Sequence, residues 1–159
     1  MERANLKVRD LEITLRPCID SDIGFVYELM HYNLAGFFDS FTEEKWSRAK
    51  FRKGFSTDTI IIFEHEKMPI GFAYLDEKNE GEIYCGGFHL SKDYQNKKLG
   101  TFILEHILKD LSGSGVKYFS GKIFKENKRS LSFIMKLGFF IEADIPEENS
   151  YFVRRSLIL

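Results

Sequence analysis

The chain has 159 residues, 43% hydrophobic and 30% charged, a balance that suits one folded domain and argues against a disordered or membrane-embedded chain. Lys and Arg number 23 against 24 Asp and Glu, a formal net charge of −1, so no global basic field draws the protein to nucleic acid or a membrane surface. No apolar run approaches the roughly 20 residues of a spanning helix, and Met1 to Lys7 hold no apolar signal stretch. Two cysteines, Cys18 and Cys85, make no disulfide framework and stand in no metal-ligand spacing. The expectation is a reduced, cytoplasmic protein with no metal and no nucleic-acid or membrane partner.

Sixteen Phe, seven Tyr and one Trp supply a large core for a small domain. Neither a repeat nor a linker is evident, so residues 1–159 read as one domain, with 1–10 as a candidate flexible start. Leu11–Arg16 alternates apolar and polar residues, the period of a half-buried strand. Asp20-Ser21-Asp22 offers an N-cap to a helix whose apolar positions are Phe25, Val26, Leu29, Met30 and Leu34. Thr42 to Lys53 reads as a second helical stretch, stopped by Gly54. The β-branched run Thr59–Glu64 reads as a buried strand, Glu66–Pro69 as a turn and Ile70–Leu75 as the returning strand. A further turn leads into Ile83–Leu90, whose paired Gly86 and Gly87 suggest a bulge or a close approach to the backbone. Leu99, Phe102, Ile103, Ile107, Leu108 and Leu111 mark an amphipathic helix ended by Gly113-Ser114-Gly115. Val116–Phe124 reads as a strand, Asn127–Leu137 as a helix closed by Gly138, and two strands follow around Phe139–Ile141 and Tyr151–Ile158. The order β-α-α-β-β-β-α-β-α-β-β predicts an α/β domain with a mixed, mostly antiparallel sheet of about seven strands and helices on both faces. The apolar C-terminal strand either completes the sheet or pairs across a dimer, leaving monomer and homodimer open.

Two segments carry chemical information. The first, Gln95-Asn96-Lys97-Lys98-Leu99-Gly100-Thr101, is an amide- and lysine-rich loop feeding a helix N-terminus. There the first N–H groups are unpaired and the dipole is positive, which suits a phosphate. A solvated loop with surface lysines explains it equally well. The second, Asn127 to Phe139, is a capped helix whose Asn127 and Gly138 are fully explained by capping.

Together, in this order, the two segments resemble the GCN5-related N-acetyltransferase (GNAT) superfamily. Its acyl-CoA signature, [Gln/Arg]-x-x-Gly-x-[Gly/Ala], reads here Gln95-Asn96-Lys97-Lys98-Leu99-Gly100, and its later Asn…Ser…Leu-Gly-Phe reads Asn127, Ser130 and Leu137-Gly138-Phe139. Leu15-Arg16-Pro17 with the acidic turn is similar to the family's usual opening. The resemblance implies an acyltransferase that takes acetyl-CoA as co-substrate and acts on a primary amine of a small molecule or peptide. It implies that the backbone around Phe88, His89 and Leu90 pairs with pantetheine, that loop amides from Gln95 to Gly100 with Thr101 hold the pyrophosphate, and that Asn127 and Ser130 border the cofactor. Lys125, Lys128 and Arg129 are candidates for the adenosine phosphate. The acceptor site is implied around Tyr27, His31, Tyr32, Asn33, Phe38 and Asp39, with Glu28 and Glu43 as carboxylates; Phe37 and Trp46 read as core.

Two departures stand out. Lys98 replaces the usual Gly, which a side chain tolerates only if the backbone there is not left-handed. Ile134 stands where many members carry the Tyr that protonates the leaving thiolate. The general base is open among Glu82, Tyr84 and His89, and Cys85 reads as a small core residue rather than a nucleophile. A degenerate member that binds or senses acyl-CoA without turnover is the alternative, and a domain that binds no CoA is the third reading.

Overall fold

The computed structural model describes residues 2–41 and 53–158, the side chains of 35 and 38–41 excepted. The helix expected over 42–53 therefore falls mostly outside the described residues, Glu43 and Trp46 with it, as do the Phe38 and Asp39 side chains. Gly54, expected to stop that helix, is itself helical.

The strands are β1 (Ala4–Val8), β2 (Leu11–Pro17), β3 (Ile60–His65), β4 (Met68–Asn79), β5 (Glu82–Leu90), β6 (Tyr118–Phe124), β7 (Phe140–Ile145) and β8 (Ser150–Ser156). The helices are α1 (Ile23–Phe41), α2 (Leu99–Gly113) and α3 (Lys128–Lys136). The eight strands hydrogen-bond in the order β1-β2-β3-β4-β5-β6-β8-β7. The count exceeds the expected seven because Ala4–Val8, within the stretch read as a candidate flexible start, pairs antiparallel with Leu11–Leu15. The β5–β6 pair is parallel, from Glu82↔Tyr118 to Cys85↔Gly121, and both strands run on beyond it. β8 is paired on both edges, by β6 and β7, so it completes the sheet and offers no edge for a dimer.

Two compact units divide the chain: Met1–Leu75 with Gly87–Gly100, and Asp76–Gly86 with Thr101–Leu159. In the first, Val26, Leu29 and Met30 of α1 pack with Cys18, Ile60, Ile62 and Phe72. Burial, with Asp22 nearby, pushes the Cys18 thiol up to about 11, which makes it inert at neutral pH. Asp20–Asp22 forms a single 3₁₀ turn ahead of α1 rather than a plain N-cap. Asp22 accepts the Ile19 N–H at 2.9 Å and the two terminal guanidinium nitrogens of Arg16 at 2.6 and 2.9 Å. Arg16 also reaches Glu64 at 2.8 Å.

The β3–β4 turn is tighter than the sequence suggests. Glu66 and Lys67 both have positive φ, 50° and 64°, the two-residue turn whose twist matches antiparallel strands, so β4 begins at Met68. In the second unit Phe119 meets Phe139 edge-on at 5.9 Å, and Ile134, Leu137, Val153 and Leu157 are buried. Along α2 the buried positions are Leu99, Ile103, Leu104, Ile107 and Leu108, whereas Phe102 is 47% exposed. Phe102 belongs to the solvent side, a correction to the expected apolar stripe. α3 matches expectation: Asn127 accepts the Ser130 N–H at 3.1 Å, and Gly138 closes the helix with φ of 79°.

Candidate functional site

β5 supplies one part of the site and the loop after it the other. Strand alternation places neighbouring side chains on opposite faces. Phe88 packs on Phe63 with ring centroids 5.4 Å apart, and His89 turns the other way onto Phe72 at 5.0 Å. The His89 ring explains one of the paired glycines: a Cβ on Gly87 would sit 3.0 Å from His89 Nε2 and 3.4 Å from Met30 Cε. The close approach is by a side chain of the same unit.

Asn33 of α1 lies with its Nδ2 3.2 Å from His89 Nδ1. With the amide donating, Nδ1 is the acceptor and the ring proton rests on Nε2, which is buried without a partner. Burial pushes the imidazole pKa down to about 4. His89 is thus a neutral core group, and its side chain is withdrawn both from cofactor and from the role of an accessible base. Sequence reasoning missed its link to Asn33, which only packing of α1 on the strand creates.

The loop after β5 is built by local hydrogen bonds. Ser91 N–H donates to Ile70 O at 2.8 Å, a 3₁₀ turn covers Lys92–Tyr94, and Gln95 Nε2 donates to Leu90 O at 2.7 Å. Gln95 therefore spends its side-chain amide on its own strand end. Asn96 and Lys98 both have φ of 61°, flanking Lys97. Alternation of negative and positive φ turns successive N–H groups to one side, the concavity that binds anions. α2 begins immediately after, at Leu99, bringing its unpaired first amides and positive dipole end to the same place. Asn96, Lys97 and Lys98 are exposed, and Lys97 Nζ lies 5.8 Å from the Tyr94 ring centroid. Half-buried Gly100 and Thr101 form the first turn. These residues fit a pyrophosphate.

Lys98 settles the question its identity raised: its backbone is left-handed. Asn tolerates that conformation through its short polar side chain, but a lysine there costs about 1–2 kcal/mol. Lys98→Gly removes the strain at the expense of a floppier unfolded chain, and it is expected to raise stability by up to about 1 kcal/mol in urea unfolding.

Glu82 is 2% exposed. Its Oε1 accepts the Ser120 hydroxyl at 2.6 Å, and its Oε2 accepts Arg154 Nη2 at 2.7 Å and Asn79 Nδ2 at 3.3 Å. Burial alone would raise its pKa, but the bonds from Ser120, Arg154 and Asn79 and the Arg154 charge together hold it below the usual range. Arg154 also donates to Glu142 at 2.7 Å and lies 4.8 Å from the Tyr118 ring centroid. Both Glu82 oxygens accept hydrogen bonds, an arrangement that suits a positioning carboxylate. Tyr84, two residues on and on the same face, is half-buried.

Asn127 and Ser130 are joined by the α3 cap, and Ile134 is buried. On α1, Tyr27 and His31 stack with centroids 5.8 Å apart, Tyr32 is 69% exposed, and Phe25, Glu28, Leu29, His31 and Tyr32 border a shallow hollow of about 370 Å³. Among the described residues no helix is long and apolar enough to cross a membrane, and no cluster of His, Cys, Asp or Glu is placed to hold a metal.

Residues 26–139 match the family model of the acetyltransferase (GNAT) family. The chain belongs to this family. Solved structures repeat the fold at low identity. Ard1 from Thermoplasma volcanium aligns with a TM-score of 0.74 and 16% identity over 92% of this chain and 99% of that one. PaiA N-acetyltransferase from Thermoplasma acidophilum, solved in complex with coenzyme A, aligns with a TM-score of 0.74 and 16% identity over 91% and 98%. N-acetylglutamate synthase from Neisseria gonorrhoeae, complexed with coenzyme A and N-acetyl-glutamate, aligns with a TM-score of 0.70 and 19% identity over 92% of this GNAT chain and 35% of the synthase. No curated protein matches it in sequence.

Proposed function

We propose that this GNAT protein transfers an acetyl group from acetyl-CoA to a primary amine of a small molecule or peptide, in the cytoplasm. The observation that carries the reading is the loop before α2, where left-handed Asn96 and Lys98 turn backbone amides toward one side beside the helix N-terminus. The amides of 96–101, with Lys97 and Lys98, hold the pyrophosphate, and the β5 backbone at Phe88, His89 and Leu90 pairs with the pantetheine arm. Asn127 and Ser130 are the residues of the later motif assigned to the cofactor.

In the transfer the neutral amine nitrogen attacks the thioester carbonyl. A C–N bond forms and the C–S bond breaks. The nitrogen gives up one proton, and CoA leaves as a thiolate that takes one up. Catalysis here is largely positional, with backbone N–H groups polarising the carbonyl. Glu82 acts as a positioning residue through Ser120 and Arg154, and Tyr84 is the other catalytic candidate on that face of β5. An amine of ordinary pKa near 10 is mostly charged at neutral pH, so the rate rises with pH.

The test is thermal unfolding with acetyl-CoA and free CoA. At about 100 times its dissociation constant, ligand stabilises the native state by roughly 2.7 kcal/mol, and Gly100→Leu is expected to abolish the shift while the unliganded fold persists. Absence of any shift for the unmodified protein overturns the reading. Buried Ile134, in place of a proton-donating tyrosine, favours a second reading, an acyl-CoA sensor without turnover. CoA binding without thiol release across an amine panel selects it.

A further inference from the structure

The second compact unit carries a cleft of about 610 Å³, within the range of small-molecule sites. Tyr84, Phe152 and Ile145 line it with apolar surface, and Asp76, Lys78 and Lys122 bring charge. Nothing derived above uses it, apart from Tyr84 as a catalytic candidate.

The charges are unequally occupied. Lys122 Nζ is held by both oxygens of Glu148 at 2.8 Å, Lys125 pairs with Asp144, and Arg154 pairs with Glu82 and Glu142. Lys78 has no carboxylate partner among the described residues. Its Nζ instead lies 4.4 Å from the Phe152 ring centroid and 6.0 Å from that of Tyr84. Two aromatic faces hold the ammonium over the cleft while leaving its N–H donors unspent. Asp76 lies two residues earlier on β4, hence on the same face, and it too has no ion-pair partner among the described residues. With Lys122 neutralised by Glu148, Asp76 balances Lys78. The complementary ligand is itself both cationic and anionic, with an apolar body for the aromatic lining.

We propose that this cleft binds the acceptor and selects α-amino acids with apolar side chains. The carboxylate meets Lys78, the ammonium meets Asp76 before losing its proton to water, and the side chain covers Phe152 and Tyr84. The inference rests on the acetyl-transfer reading and adds the class of amine to it.

The experiment compares acetyl-CoA-dependent thiol release with L-phenylalanine, L-leucine, L-phenylalanine amide and phenethylamine. A charge-assisted contact of the acceptor carboxylate with Lys78 is expected to favour phenylalanine over its amide and phenethylamine by about tenfold in kcat/KM. Lys78→Met is expected to erase that preference, Lys78→Arg to keep most of it, and both to leave the KM for acetyl-CoA unchanged. Equal use of the three phenyl compounds, or a preference that survives Lys78→Met, overturns the proposal. If no amine releases CoA although CoA binds, the transfer reading fails instead. Calorimetry on the CoA-loaded protein then decides the cleft: it stands if phenylalanine binds and Lys78→Met abolishes binding, and falls otherwise.

Discussion

Glu82→Ala is expected to destabilise the protein by about 3 kcal/mol, because removing one partner of a buried ion pair leaves the others uncompensated. Ser120, wholly buried, loses the acceptor of its 2.6 Å hydrogen bond, and Arg154 loses one of two carboxylates. The figure sits at the low end for such pairs because Arg154 keeps Glu142 and is a quarter exposed. Urea unfolding measures the loss. Glu82→Gln separates structure from chemistry. The amide keeps the shape, offers an oxygen to Arg154 and an N–H to the Ser120 oxygen, and is expected to cost about 1 kcal/mol, the scale of one net hydrogen bond. Acetyl transfer by Glu82→Gln should keep the unmodified pH profile. A folded Glu82→Gln protein that binds CoA but has lost transfer would return the base to Glu82.

Lowering the pH from 7 to 5 is expected to cost about 2 kcal/mol of stability through His89, whose pKa falls from 6.5 in the open chain to about 4 in the fold. The sign follows from proton counting. Between those values the unfolded chain binds a proton that the native state refuses, so stability rises with pH there. The contribution is complete above pH 6.5 and is lost as the pH falls toward 4. Protonation would turn Nδ1 into a donor facing the Asn33 amide 3.2 Å away and bury a charge beside Phe72. His89→Leu is expected to flatten the slope between pH 7 and 5, and an unchanged slope would remove His89 as its source. Asp22 and Glu82, both held below their ordinary 3.8 and 4.5, act with the same sign but lower. Their contributions are complete above those values and lost as the pH falls beneath them.

Local chemistry made much of the fold legible. Asn127 and Gly138 bracket α3 because a side-chain acceptor and a left-handed glycine serve their own helix ends, needing nothing from elsewhere in the chain. The same holds for Gln95-Asn96-Lys97-Lys98-Leu99-Gly100, whose order marks the loop before α2 and the acetyltransferase family. The first strand escaped notice because an edge strand needs a partner more than a pattern, and Ala4–Val8 gains its partner from β2.

Legible from residue order alone were the succession of strands and helices from β3 onward, the cap of α3 and the family motifs, all products of interactions within a few residues. The surroundings of the chemically suggestive residues come from the tertiary structure. Glu82 is a base candidate by its place on the strand, and the structure adds Ser120, Arg154 and Asn79, from 3 to 72 positions away, as partners of its oxygens. His89 looked titratable until burial against Phe72 and Asn33 made it neutral. Lys98 fits its place only on a backbone that is not left-handed, and its φ of 61° puts it where glycine belongs. For Glu82 and His89 the reason is the same: protonation depends on solvent exclusion and on neighbours, which long-range contacts set and no local pattern encodes. The turn at Lys98 is local, but the identity of the residue does not give its φ.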